Sequence, residues 1–166
     1  MSKERTKTTF LGDLIFIIIL VIAIYLAMNI SENNQFKKIE LINDKYQVNA
    51  NNLIPVNQEE YIVELSNLNN TKYTAPIIDY IKLNNESIQL NKLVNWVALS
   101  DNNCVSKTLQ LKVNVLTQKQ DSLINTFESL NAKKVKNIYW ETYLSNLKNA
   151  NDYKDMKIEI LKKRIC

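Results

Sequence analysis

An almost unbroken run of apolar residues at positions 10–28 constrains this chain more than any other feature of its sequence. A helix rises about 1.5 Å per residue, so a run of this length just covers a hydrocarbon core of roughly 30 Å. The sequence therefore predicts a single transmembrane helix at residues 10–28, with membrane lipid around it.

The residues on either side of the run indicate its orientation. The stub at residues 1–9 is basic, with Lys and Arg outweighing a single Glu, and a basic flank is normally retained in the cytoplasm. The run ends at Met28 without the small-x-small pattern of a signal cleavage site. We expect an uncleaved anchor with its N-terminus in the cytoplasm, and everything after about Asn29 outside it.

The composition argues against catalysis. The chain has no His, which removes the commonest general base and metal ligand. Its one Gly, Gly12, lies inside the apolar run, so glycine-rich phosphate loops and the G-x-S-x-G nucleophile elbow are excluded. We therefore expect no enzymatic activity, no cofactor and no metal site.

The charge pattern does not indicate a nucleic-acid partner. The net charge of +4 comes from Lys and Arg scattered along the chain, without the block of basic and aromatic residues that a nucleic-acid groove would have. The expected partners are lipid and other proteins.

The chain has two cysteines, Cys104 and Cys166. They are too few and too far apart for a zinc site, whereas an even pair in an oxidising compartment indicates a disulfide. The alternative is an incidental pair, with one Cys buried as a small apolar residue and the other on a free tail. A bridge would enclose about sixty residues and stabilise a small domain by on the order of 3 to 4 kcal/mol.

We interpret residues 29–74 as a stalk and connector. The apolar residues of 31–52 follow a partly helical rhythm that would extend the membrane helix outward. Pro55 and an alternating run at 61–65 favour an extended segment after it. Pairs of Asn between the more apolar stretches predict turns, because Asn tolerates the left-handed conformation.

Residues 75–166 carry the pattern of one small α+β domain. A helix is expected from Pro76 to the Asn pair at 84–85. Residues 88–99 fit either a helix or a strand buried on both faces, and we favour the strand. Residues 108–116 alternate apolar and polar side chains, which predicts a half-buried strand.

The second half of this domain repeats the same order. Thr117 and Gln120 form a capping box, and a helix is expected from there to Asn131. The β-branched and aromatic content of 135–144 and the alternation at 156–160 predict two further strands. The order is αββαββ, that of a ferredoxin-like domain with a four-stranded antiparallel sheet and both helices on one face.

In that topology the second and fourth strands lie side by side at the centre of the sheet. Cys104 comes just before one of them, and Cys166 comes just after the other. The predicted fold therefore brings the two sulfurs together.

The whole arrangement resembles a known group of proteins. A basic tail, one anchor, a stalk, an alternating strand, a capped helix and two more strands are similar to the PilO, PilN and GspM group, the inner-membrane assembly proteins of type IV pili and type II secretion. The resemblance lies mainly in residues 108–161. It implies a scaffold in the bacterial inner membrane with a periplasmic domain, which pairs with other subunits of a membrane complex as a homo- or hetero-oligomer. No active site carries over.

The predicted sheet offers one candidate docking surface. Tyr139, Trp140 and Tyr143 lie on the strand at 135–144, which would be a sheet edge able to accept a partner strand. The alternative is that these aromatic residues pack in the core beneath the second helix.

Two other functions are compatible with the sequence. A pseudopilin-like subunit would also have a basic leader, an apolar helix and a C-terminal disulfide, although here Thr9 and not Gly precedes Phe10. A small envelope-anchored immunity or exclusion protein needs only an anchor and a compact binding domain.

Overall fold

The computed structural model describes residues 3–68, 71–99, 104–132, 138–150, 160 and 163–166. Within these ranges it has five α-helices and two strands of two residues each: α1 (Lys3–Lys45), α2 (Gln58–Ser66), α3 (Thr71–Leu99), β1 (Cys104–Val105), α4 (Lys107–Ala132), α5 (Ile138–Asn149) and β2 (Arg164–Ile165). The chain divides into two compact units, Met1–Leu41 and Ile42–Cys166.

The described residues of the first unit all lie in α1, a single helix of 43 residues. A candidate membrane span lies in Gly12–Lys45, with a mean hydropathy of 2.8 in its most apolar stretch and 0% of that stretch buried. Large apolar side chains such as Phe16 and Ile19 are exposed on this helix. The structure thus confirms an apolar N-terminal helix that is long enough to cross a membrane.

Helix α1 ends in a Schellman motif. Gln47 adopts the left-handed conformation with φ 58°, and its N–H donates to the Asp44 carbonyl at 3.2 Å. The Val48 N–H donates to the Asn43 carbonyl at 2.8 Å, which completes the pair of bonds that defines the motif. Gly is the usual residue at this left-handed position, and here the chain uses Gln instead.

Of the segment at 29–74, interpreted from the sequence as stalk and connector, residues 42–74 lie in the second compact unit. Asn57 caps α2, because its side-chain oxygen accepts from the Glu60 N–H. Tyr61 on the inner face of α2 is fully buried, and its hydroxyl donates to Asn43 Oδ1 at 2.7 Å. A buried hydrogen bond therefore joins α2 to the end of α1.

Helices α3, α4 and α5 pack against one another, α3 on α4 and α4 on α5. The buried positions of α4 follow one another at alternating spacings of four and three residues: Leu109, Val113, Leu116, Gln120, Leu123, Phe127 and Leu130. This is the spacing of coiled-coil seam positions, which keeps one stripe of a helix against its neighbours. The core of the second unit is therefore a helical bundle.

An aromatic cluster joins the three helices of this bundle. The Phe127 ring on α4 lies 5.4 Å from the Trp140 ring and 5.3 Å from the Tyr143 ring, both on α5. From α3, Tyr73 lies 6.2 Å from Trp140, and Tyr80 lies 4.7 Å from Tyr143. Aromatic pairs of this kind contribute about 0.5–1.5 kcal/mol each beyond the area that they bury.

One polar residue occupies a seam position of α4. Gln120 is buried, and its Nε2 donates to the Leu147 carbonyl at 2.7 Å. Leu147 lies in the last turn of α5, where the carbonyls have no partner within their own helix. Gln120 therefore caps α5 from the neighbouring helix and sets the register between the two.

The ferredoxin-like prediction is wrong. A four-stranded antiparallel sheet is expected from the sequence, but among the described residues the two named strands, β1 and β2, form a two-stranded parallel pair. The strand predicted at 108–116 lies in α4, where Leu109 and Val113 are buried while Leu111 and Val115 are about half exposed. The apparent alternation comes from two faces of a helix, so the domain is mainly helical rather than α+β.

The ends of α3 and α4 also differ from those predicted, and particular hydrogen bonds explain the difference. Residues 88–99 belong to α3, and the Asn pair at 84–85 lies inside this helix, where Asn85 Nδ2 donates to Gln58 Oε1 at 2.6 Å. The helix of the predicted capping box begins ten residues earlier, since Ser106 Oγ accepts from the Leu109 N–H at 3.2 Å.

The two predicted C-terminal strands have different outcomes. Helix α5 occupies most of the strand predicted at 135–144, and residues 133–137 lie outside the described residues. The strand predicted at 156–160 also lies outside them, apart from Ile160, which is buried.

Candidate functional site

The two cysteines form a disulfide. The Sγ atoms of Cys104 and Cys166 are 2.01 Å apart, their Cα atoms are 5.2 Å apart, and 62 positions separate them in the sequence. The bond lies beside the β1–β2 pair, and the Cys166 N–H donates to the Val105 carbonyl at 3.1 Å. The crosslink therefore ties the segment after α5 to the connection between α3 and α4.

The three aromatic residues proposed as a docking edge are not grouped at a surface. Trp140 and Tyr143 are 1% and 0% exposed, and both contact Phe127 on α4. The side chain of Tyr139 lies outside the described residues. The placement of Trp140 and Tyr143 matches the alternative interpretation, in which these rings pack beneath the second helix of the predicted domain.

A surface groove lies between α3 and α4. One part has a volume of about 740 Å³ and the other about 430 Å³, and both are lined by Glu86, Val115 and Lys119. The smaller part exposes three apolar side chains, with Leu93 at 49%, Leu111 at 54% and Val115 at 48%. We call this continuous surface the α3–α4 groove.

The α3–α4 groove has a basic rim. Four Lys and two acids line it, which leaves a net charge of +2: Lys72, Asp79, Lys82, Glu86, Lys112 and Lys119. Lys119 Nζ bonds to both carboxylate oxygens of Glu86, at 2.9 and 2.8 Å, so one pair is already formed across the groove. Among the described residues neither Lys82 nor Lys112 has an ion-pair partner.

An acidic surface lies on the outer face of α2. Val56 just before the helix and Val63 within it are 73% and 58% exposed, and Glu59 and Glu60 lie beside Val63 on the same face. We call these four residues the α2 face. Neither of its two Glu has an ion-pair partner among the described residues.

A third acid of α2 is used inside the domain. Glu64 bonds to the Lys45 ammonium and accepts from the Tyr46 hydroxyl at 3.0 Å. The hydrogen bond from Lys45 lowers the pKa of the Glu64 carboxyl, and the bond from Tyr46 lowers it further. Glu64 therefore holds α2 to the end of α1 and does not belong to the α2 face.

Sequence reasoning missed the α3–α4 groove, although its residues carried a signal. Leu111 and Val115 fall between the seam positions of α4, where a helix that only packs inward would have polar residues. Apolar residues outside the seam indicate a second contact surface on the same helix.

The chain was compared with protein-family models, with curated proteins and with solved structures, and nothing matches in any of the three. In the part of the chain that the structure describes, no group of three or more His, Cys, Asp or Glu side chains is placed to hold a metal ion. A functional assignment therefore depends on the apolar N-terminal helix, the disulfide and the surface of the helical domain.

Proposed function

We propose that this chain is a single-pass membrane protein whose disulfide-closed helical domain lies outside the cytoplasm and binds other proteins through the α3–α4 groove, without catalysing a reaction. The exposed apolar residues of the groove are the observation that carries this proposal. Leu93, Leu111 and Val115 line the same part of a groove whose rim carries four Lys and two acids. Exposed apolar patches with a polar rim are typical of protein-binding surfaces.

The anchor is supported by the apolar stretch of α1. Its side chains are exposed in the structure, and in water a stretch of this length would present a large uncovered apolar surface. A hydrocarbon core removes that surface from water, and the helix satisfies its backbone hydrogen bonds internally. The basic residues of the N-terminal stub favour a cytoplasmic N-terminus.

The exported position of the domain is supported by the bond between Cys104 and Cys166. Structural disulfides persist in oxidising compartments and are rare in the cytosol. The predicted topology and the disulfide therefore both favour a position of the domain outside the cytoplasm.

A scaffold role in a pilus or secretion machine stays a prediction. The resemblance to the PilO, PilN and GspM group depended on strands at 108–116 and 135–144, where the structure has α4 and, from Ile138 onward, α5. We therefore propose a protein-binding membrane protein and assign it to no particular machine.

A pseudopilin-like subunit is the second candidate, and the C-terminal disulfide favours it. It requires cleavage of the basic leader before an apolar helix. The intact mass of the membrane form tests it, because loss of residues 1–9 would support the pseudopilin interpretation and an intact N-terminus would contradict it.

Site-specific photocrosslinking in cells tests the binding role. A photoreactive phenylalanine derivative replaces Leu111 in the groove, and the same residue replaces Asp121, which is exposed on α4 and does not line the groove, as the matched control. We expect a protein adduct from position 111 and none from position 121. Absence of an adduct at 111, or equal adducts at both positions, would contradict the proposal.

A further inference from the structure

The basic α3–α4 groove and the acidic α2 face of the same domain are complementary. The groove offers apolar side chains with Lys82 and Lys112 at its rim. The α2 face offers Val56 and Val63 with two Glu, and the nine residues of α2 include no Lys or Arg. An amphipathic helix in an apolar groove is a common mode of protein recognition.

The two surfaces belong to different sides of α3. The α2 helix packs on α3 through contacts that include Gln58 and Asn85, whereas the groove lies between α3 and α4. The α2 face of a domain is therefore not available to the groove of that domain. It is available to the groove of a second domain.

Charge decides between two ways of pairing two copies. Two grooves placed face to face would bring net charges of +2 and +2 together, which is unfavourable at an interface. The α2 face in a groove instead brings Glu59 and Glu60 to Lys82 and Lys112, all four of which have no ion-pair partner among the described residues. The heterologous arrangement is therefore favoured over the symmetric one.

We infer that the α3–α4 groove of one copy of this chain binds the α2 face of a second copy, with Val56 and Val63 on Leu93, Leu111 and Val115. This inference rests on the proposed binding role of the groove and names its partner. Each copy has one groove and one α2 face, so the contact is head to tail and builds rings or open rows. Anchoring in one bilayer raises the effective concentration of the copies, which supports a contact of modest size.

Charge exchange in the full-length chain tests this inference. Donor- and acceptor-labelled chains are reconstituted in lipid vesicles, and self-association is measured by energy transfer as a function of protein density. The variants Glu59→Lys/Glu60→Lys and Lys82→Glu/Lys112→Glu should each weaken self-association by about tenfold or more, because like charges then face each other. The control Asp121→Lys/Glu141→Lys changes two exposed acids elsewhere and should leave association unchanged.

Mixing the two charge-exchanged variants gives the sharper result. The basic α2 face of one then meets the acidic groove of the other, and the unchanged surfaces also match, so association should return to within about threefold of the original chain. Thermal unfolding of each variant, within a few degrees of the original, shows that the fold is retained. No self-association of the original chain, unchanged association in either variant, or no rescue on mixing would overturn the inference.

The adduct formed from position 111 in cells separates failure of this inference from failure of the proposed function. An adduct whose mass and peptides identify residues of α2 from a second copy supports both. An adduct with a different protein overturns the self-association and leaves the binding role standing. Absence of any protein adduct overturns both.

Discussion

Replacing Gln47 with Gly should stabilise the domain although it removes a side chain. The left-handed conformation of Gln47, with φ 58°, costs a residue with a Cβ atom about 1–2 kcal/mol and costs Gly almost nothing. Gly loses more backbone entropy on folding, which offsets about 0.5–1 kcal/mol of that gain. We expect a net stabilisation of about 0.5–1 kcal/mol, or roughly 2–4 °C in Tm for a domain of this size.

The same substitution at Gln118 is the matched control. Gln118 is exposed in the interior of α4, where Gly lowers stability by about 0.5–1 kcal/mol. Both variants of the full-length chain are unfolded with urea in detergent, and tryptophan fluorescence reports the transition. Destabilisation by both substitutions would show that Gln47 is not held in the left-handed conformation, and the end assigned to α1 would then be incorrect.

Three further predictions concern bonds that hold the second unit together. Tyr61→Phe leaves the buried Asn43 Oδ1 without its 2.7 Å donor, so the free energy of unfolding should fall by about 1–3 kcal/mol in a urea titration. Changing Cys104 and Cys166 to Ala opens a loop of 62 positions and should lower the free energy of unfolding by about 4 kcal/mol. A change below about 1 kcal/mol would contradict the crosslink. The lowered pKa of Glu64 means that its contribution to stability is present above the ordinary carboxyl pKa of 4.5 and is lost as the pH falls below it. The difference in Tm between the original chain and Glu64→Gln should therefore disappear at acidic pH, and a difference that persists there would contradict the assignment.

The apolar N-terminal helix was predictable because its signal depends on composition alone. An apolar run of spanning length needs no knowledge of tertiary contacts, and the structure has a helix there. The disulfide partners were also identifiable, because the chain offers one possible pair. The reasoning that used a sheet to bring them together was wrong, since β1 and β2 are parallel and two residues long.

The helical bundle was missed because two kinds of apolar residue share α4. Seam residues such as Leu109 and Val113 face the core, and groove residues such as Leu111 and Val115 lie between them, so four consecutive apolar positions alternate as in a strand. The seam pattern continues to Leu130 but is interrupted by a buried polar residue, Gln120. The apolar residues of the proposed binding surface thus created the alternating pattern from which a strand was predicted.

The Asn pair at 84–85 misled for a related physical reason. Asn favours turns when its side chain bonds to nearby backbone, as Asn49 does by accepting from the Asn51 and Asn52 N–H groups at 2.9 and 3.0 Å. Asn85 instead bonds to Gln58 on another helix, and α3 continues through it. The choice between these two outcomes depends on a tertiary partner that the local sequence does not contain.

The central claim is that the helical domain and the N-terminal stub lie on opposite sides of one membrane. This claim is tested directly by amine modification of intact cells from which any barrier outside this membrane has been removed. The reagent does not cross the bilayer, and mass spectrometry maps the modification of each Lys. We predict modification of Lys92 and Lys107, which are exposed in the domain, and modification of Lys3 and Lys7 only after the membrane is permeabilised. Modification of the tail before permeabilisation, or protection of the domain, would contradict the account.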